Sequence, residues 1–187
     1  MTTRWVVSYR ADPYARRLAD GHYSRRAVGA KQFVPPGRCV VLRTIAGDAY
    51  WVTSWQEYVD HRWPGAWMCS AFRNLSPHRS SELVVEAMAA TRAVWPEAPR
   101  VPAWVVVGRE PHRTILERDE IACVTFVDED AVRRKRDPGR CFLRAGFEVV
   151  GRTRGGLVAL GMRASRLPAP DPAMVEQIGL FPETRLH

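Results

Sequence analysis

Lysine is scarce in this chain of 187 residues: all but two of its 28 basic side chains are arginine, the exceptions being Lys31 and Lys135. No apolar run approaches the roughly 20 residues that span a bilayer. The stretch 1–13 has no secretory apolar segment followed by a cleavage site. Neither a membrane span nor export is expected, and a cytoplasmic location is. Cys39, Cys69, Cys123 and Cys141 form no CxxC pair, so zinc-site spacing is missing, and without an export signal a disulfide framework has no support. Reduced thiols, mostly small core residues, are expected instead. There is no internal repeat or low-complexity tract, which excludes a repeat architecture.

What is present fits one globular domain. The apolar share of 46% and charged share of 26% are ordinary for a globular protein, and the length suffices for a full core. A net charge of +8 favours an anionic partner, nucleic acid first, because basic surfaces gather phosphate through long-range attraction and counterion release. Arginine enrichment also follows from GC-rich coding, so the placement of the arginines has to decide.

Strands and helices alternate. Trp5–Tyr9 reads as a strand, and Pro13 suits the first turn of a helix reaching Ala19 and stopping at Gly21. A loop with His22, Tyr23, Ser24, Arg25 and Arg26 follows. Cys39–Arg43 and Ala49–Trp55 flank Gly47-Asp48 as a hairpin, and Trp67–Arg73 is another strand. Leu83, Val84, Ala87, Met88, Thr91 and Val94 share one helical face, with Ser80 or Ser81 as cap and Trp95-Pro96 as stop. The stretch 97–121 is left open: Ala103–Val107 is either a strand or part of an insertion. Ala122–Val127 reads as a buried strand ending at Asp128, followed by a basic helical segment from Ala131 toward Arg144, broken near Asp137-Pro138-Gly139. Phe147–Gly151 and Leu157–Leu160 close the body as a hairpin. The order gives an α/β fold with a mixed central sheet and helices on both faces. Residues 1–165 form this domain, and 166–187, with prolines at 168, 170, 172 and 182, form a C-terminal arm lying on it.

Cys141–Gly151, in which Gly146 ends a helix and Phe147 plugs the core, is similar to the end of a GNAT-like acyltransferase domain. His22-Tyr23-Ser24-Arg25, Phe72-Arg73-Asn74 followed by Ser80-Ser81-Glu82-Leu83, and Thr125–Asp128 leading into Lys135–Phe142 together resemble the Mom family of phage DNA-modification proteins, across roughly residues 15–162. The resemblance implies a GNAT-like fold that adds a carbamoylmethyl group to N6 of adenine in double-stranded DNA as anti-restriction protection. It also implies an iron site. The chain departs from the family pattern at Leu75, where an acidic residue follows the Phe-Arg-Asn triplet. It departs from typical GNAT enzymes too, because the segment from Arg73 to Ser81 contains no glycine for a pyrophosphate-binding loop. A helix start at Ser80-Ser81 keeps anion-binding amides whatever the loop, so acetyl-CoA, or another acyl or carbamoylmethyl donor, stays open.

In such a fold the two central parallel strands part, and the cleft between their carboxyl ends would gather Arg73, Asn74 and Asp128 with the His22-Tyr23 loop. Imidazole, phenol and carboxylate suit a mid-row metal, so His22, Tyr23 and Asp128 are expected as metal ligands or proton-handling residues. Ser80 and Asn74 join them as candidate catalytic groups, and Arg73, Ser80 and Ser81 as donor-binding groups. Without the family likeness the commoner roles are a hydrogen-bonded loop histidine, a core tyrosine and a helix-capping aspartate. A duplex adenine must leave the stack to be reached. Tyr23, Tyr50, Trp51 and Trp55 are candidates to stack on it, although most tryptophans are expected in the core. Arg16, Arg17, Arg25, Arg26, Arg133, Arg134, Lys135, Arg136 and Arg140 border the site as a phosphate grip. An acetyl-CoA-dependent transferase acting on a protein or small amine, and a non-catalytic nucleic-acid-binding module, are the competing functions. A homodimer is left open.

Overall fold

The computed structural model describes residues 4–34, 36–55, 62–63, 65–96, 120–132 and 137–174. In chain order the elements are β1 (Trp5–Ser8), α1 (Pro13–Asp20), β2 (Arg38–Thr44), β3 (Ala49–Trp55), β4 (Trp67–Asn74), α2 (Ser80–Val94), β5 (Ile121–Val127), α3 (Arg140–Arg144), β6 (Glu148–Arg152) and β7 (Val158–Arg163). The strands form one seven-stranded sheet in the order β1-β2-β3-β4-β5-β7-β6. Every neighbouring pair is antiparallel except β4 and β5. This is the α/β, GNAT-like arrangement expected from the sequence.

Both faces of the sheet are covered because β2 and β3 are apolar on alternate residues of both phases. Val40, Leu42, Ala49 and Trp51 join Leu83, Val84, Ala87 and Met88 of α2 and Phe142 of α3 in one core. Cys39, Val41, Tyr50 and Val52 join Ala15, Leu18 and Ala19 of α1 in the other. Each fully buried aliphatic side chain contributes on the order of 2 kcal/mol through removal from water. A buried chain of hydroxyls stitches sheet to helix: the Trp51 indole donates to Thr53, whose Oγ1 lies 3.1 Å from Thr91 Oγ1, and Thr91 donates to the Ala87 carbonyl at 2.8 Å.

One extra residue in β4 decides which way its last residues face. Val52 is paired with Ala71 and Thr53 with Cys69, so Ser70 bulges out. A bulge shifts the two-residue alternation by one. Before it, Trp67 and Cys69 face α2; after it, Phe72 does, and Arg73 turns toward α1.

The parallel ladder is short. It pairs Trp67 with Cys123, Met68 with Val124 and Cys69 with Thr125, and goes no further, although β4 runs on to Asn74 and β5 to Val127. Thr125 Oγ1 donates to the Cys69 carbonyl at 3.1 Å, a side-chain bond at the point where the strands part.

Three local expectations are corrected. The N-cap of α2 is Arg79, with no side-chain cap, not Ser80 or Ser81. Among the described residues the basic helix expected from Ala131 is absent: residues 129–132 are turns, and α3 begins only at Arg140, after Gly139 in a left-handed conformation at φ 75°. Such a conformation interrupts a helix instead of continuing it. Tyr50, Trp51 and Trp55 are buried core residues and are not available to stack on a base. The proposed turn at Gly146 is found, with φ 102° and Phe147 buried behind it. Leu167–Met174 lies against α2: Arg92 donates to the Leu167 carbonyl at 3.4 Å, Asp171 N–H to the Ala89 carbonyl at 3.2 Å, and Met174 is fully buried. Ala103–Val107 and the rest of 97–119, Arg133–Arg136 and the arm beyond Met174 lie outside the described residues.

Candidate functional site at the parting of β4 and β5

The loop after α1 is anchored at several points. Asp12 caps α1 by accepting the N–H groups of Tyr14 and Ala15 at 2.8 and 2.9 Å, while its other oxygen takes Ser8 Oγ at 2.6 Å and Arg43 Nε at 2.9 Å. At the far end of α1, Arg73 Nη1 donates to the Leu18 carbonyl at 3.1 Å. Its guanidinium passes so close to Gly21 that a Cβ there would lie 1.9 Å from Nη1. Arg73 therefore supports the root of the His22-Tyr23 loop, on the face of the sheet opposite α2, and is not directed at the α2 N-terminus as a donor-binding group. Arg25 is likewise internal: it bonds Asp20 Oδ1 at 3.0 Å and the Ala30 and Gln32 carbonyls at 3.0 and 3.3 Å, with its side chain 11% exposed. Burial works against the Asp20 carboxylate, but the hydrogen bond and charge of Arg25, the Gly29 N–H and the charge of Arg16 together hold its pKa below the ordinary value.

That anchoring delivers Tyr23 to the parting strands. Its phenol lies near the backbone N–H of Asp128, just past the end of β5, and near the Cys69 and Cys141 thiols. Burial pushes the phenol pKa up, with the Asp128 amide opposing it. The His22 ring stacks on Tyr23, with centroids 4.5 Å apart and planes 29° apart. Asp128 Oδ1 accepts the N–H groups of Asp130 and Ala131, both at 3.0 Å. Tyr23 and Asp128 thus meet at one opening with His22 stacked on Tyr23; His22 and Asp128 also carry structural hydrogen bonds, while Tyr23 is exposed and not a core tyrosine. Burial raises the Cys69 thiol well above its ordinary pKa, so the cysteine at the fork is no thiolate at neutral pH.

Asn74, at the end of β4, is a clamp. Its Nδ2 donates to the His78 carbonyl at 2.8 Å and to Ser80 Oγ at 3.1 Å, while Oδ1 accepts Ser76 N–H at 2.8 Å and Ser76 Oγ at 2.6 Å. These four bonds fill the amide's capacity, which makes Asn74 a positioning group for the turn into α2 and ties Ser80 into that turn. Ser80 and Ser81 stand in the first turn of α2, whose lack of a side-chain cap keeps its dipole and leading amides suited to an anion.

Iron, implied by the family resemblance, is tested by the donor set. The oxygens of Tyr23 and Asp128 are suitable donors, but His22 is not in ligand form. Its Nδ1 accepts the Ser24 N–H at 3.2 Å and sits 2.8 Å from Ser24 Oγ, which leaves the proton of the neutral ring on Nε2. A metal-binding imidazole has the opposite pattern, with its second nitrogen donating a proton to a neighbour. The three residues as arranged therefore do not fit the ion. Among the described residues there is no cluster of three His, Cys, Asp or Glu side chains that could hold one.

Of the expected phosphate-binding arginines, Arg17 and Arg26 are exposed, Arg16 is half-buried, and Arg140 is exposed but bonded to Asp137 at 3.3 Å. All four cysteines are free thiols, three of them buried. Among the described residues no helix is long and apolar enough to cross a membrane. Ser24 and Thr125 were not singled out from sequence as site residues. A serine two positions after a histidine, able to bond back to it, was the available signal for the first. No protein-family model, curated protein or solved structure matches the chain.

Proposed function

We propose that the protein is a transferase that modifies adenine in double-stranded DNA, adding a carbamoylmethyl group to N6 from the opening between β4 and β5. The observation that carries this reading is the meeting of Tyr23 with Asp128 at that opening, with His22 stacked on Tyr23. The product joins N6 to a methylene carbon. The bond therefore forms by displacement at that carbon: the donor's leaving group departs with its electron pair, and N6 gives up a proton. Asp128 Oδ2, which makes no hydrogen bond within the described residues, is the acceptor for that proton. The His22-Tyr23 stack offers a flat surface beside it for an extruded base. Arg17 and Arg26 hold backbone phosphates beside the loop. Such work belongs in the cytoplasm of a cell whose phage DNA needs protection from restriction.

A second reading, an acetyl-CoA-dependent N-acetyltransferase, draws support from the uncapped start of α2. Against it, the segment from Arg73 to Ser81 contains no glycine for a pyrophosphate-binding loop.

Mass spectrometry of nucleosides from DNA of expressing cells tests the proposal. A modified deoxyadenosine absent from an Asp128→Ala control is expected. Identical spectra for the two would reject the reading.

A further inference from the structure

We infer that Ser24 is a positioning residue that fixes His22 in the Nε2–H form, so that this imidazole works as a hydrogen-bond donor and not as a metal ligand. A backbone N–H can only donate, and the Ser24 N–H is directed at His22 Nδ1 at 3.2 Å. That nitrogen must therefore present its lone pair, and the Ser24 hydroxyl at 2.8 Å completes the same demand by donating to it. Moving the proton to Nδ1 would set two N–H groups face to face, losing one hydrogen bond and adding a repulsion. The loop backbone cannot readily turn away, because His22 N–H is bonded to the Ala19 carbonyl at 2.9 Å and Arg25 N–H to the His22 carbonyl at 3.0 Å. Stacking on Tyr23 holds the ring plane as well.

The consequence is chemical. An Nε2–H stabilises an acceptor on a substrate, such as a ring nitrogen or the oxygen of a carboxamide, and that proton blocks the nitrogen from a metal ion. The tautomer rests on geometry alone. Only the kind of acceptor rests on the proposed function.

Long-range proton–nitrogen correlation spectra of the labelled full chain test the inference, at a pH well above the ordinary imidazole value of about 6.5. The His22 signals are assigned by their loss in His22→Gln. The expected wild-type pattern is a pyridine-type Nδ1 and a pyrrole-type Nε2. Ser24→Ala keeps the backbone N–H and so the pyridine-type Nδ1, but the lost hydroxyl bond should move the Nδ1 shift several-fold further from the wild-type value than Ser24→Thr, which restores the hydroxyl. A pyrrole-type Nδ1 in the wild type overturns the inference, as does a Ser24→Ala spectrum with unchanged His22 shifts. So does a saturable one-to-one shift of His22 on adding zinc(II) that Asp128→Asn abolishes. None of these readouts depends on DNA modification, so the tautomer and the proposed activity can fail separately.

Discussion

The phenol of Tyr23 lies beside the backbone N–H of Asp128, which brings the loop following α1 to the first residue beyond β5. Two segments far apart in sequence meet there. Tyr23→Phe removes the hydroxyl beside that amide, at a cost of at most about 1 kcal/mol. In a protein of this size that lowers Tm by roughly 2–4 °C, as calorimetry would register. DNA modification should fall far more than this small loss of stability explains. Wild-type levels of modified deoxyadenosine in Tyr23→Phe would remove the phenol from the proposed chemistry.

Asn74→Ala deletes four hydrogen bonds at the mouth of the opening. Each is worth about 0.5–1.5 kcal/mol where buried, and partial exposure reduces the total to about 2 kcal/mol. Urea denaturation should show that loss, and amide exchange should accelerate at Ser76 and His78 in particular. Uniform acceleration across the chain would contradict the clamp.

Asp12 links acid stability to the loop. Burial alone would raise its pKa, but Ser8, the Ala15 amide and Arg43 reverse the effect and leave it lowered. For a carboxylate with a depressed folded pKa, the stabilisation is complete above the unfolded value near 3.8 and is lost as pH falls through the lower folded value. Asp12→Ala should cost about 2 kcal/mol at neutral pH, since a helix cap and a buried partner for Arg43 go together. The variant should also have a flatter acid limb. Parallel pH profiles for variant and wild type would refute the linkage.

The two kinds of arginine should separate in DNA binding. Arg17→Ala and Arg26→Ala remove exposed charges and should each reduce the dependence of log affinity on log salt by about one unit, with little effect on Tm. Arg25→Ala removes internal bonds to Asp20 and two carbonyls and should lower Tm while leaving the salt slope nearly unchanged. The opposite pattern would mean that the exposed guanidiniums do not meet phosphate.

Gly139 combines φ 75° with a tight fit. A Cβ there would lie 2.6 Å from Leu160 Cδ1 and 3.3 Å from Val127 Cγ2. Gly139→Ala should cost on the order of 2 kcal/mol, part backbone strain and part displaced core. Equilibrium unfolding measures it.

Much of this was legible in the sequence because the signals were local. Leu83, Val84, Ala87 and Met88 mark the buried face of α2 by spacing alone, and Gly47-Asp48 marks the hairpin. The gathering of His22, Tyr23 and Asp128 followed from placing strand ends, which topology fixes. Arg73 and Asn74 were misread for a different reason. Their direction depends on the single bulged residue at Ser70, which no residue type announces, and reversing that phase sends Arg73 to α1. The α2 cap was misassigned because serine at a helix start suits the first turn as well as the cap.

The three-pair ladder between β4 and β5 divides the sheet by chain order. On one side β1 to β4 follow one another as a meander, and on the other β5, β6 and β7 close on themselves. Each side pairs strands that lie closer together in the chain, while the seam between them has the longest strand-to-strand closure in the sheet. The place where chemistry is proposed is thus the point of the sheet joined by its most distant pairing, and the shared core beneath it has to hold the two sides together.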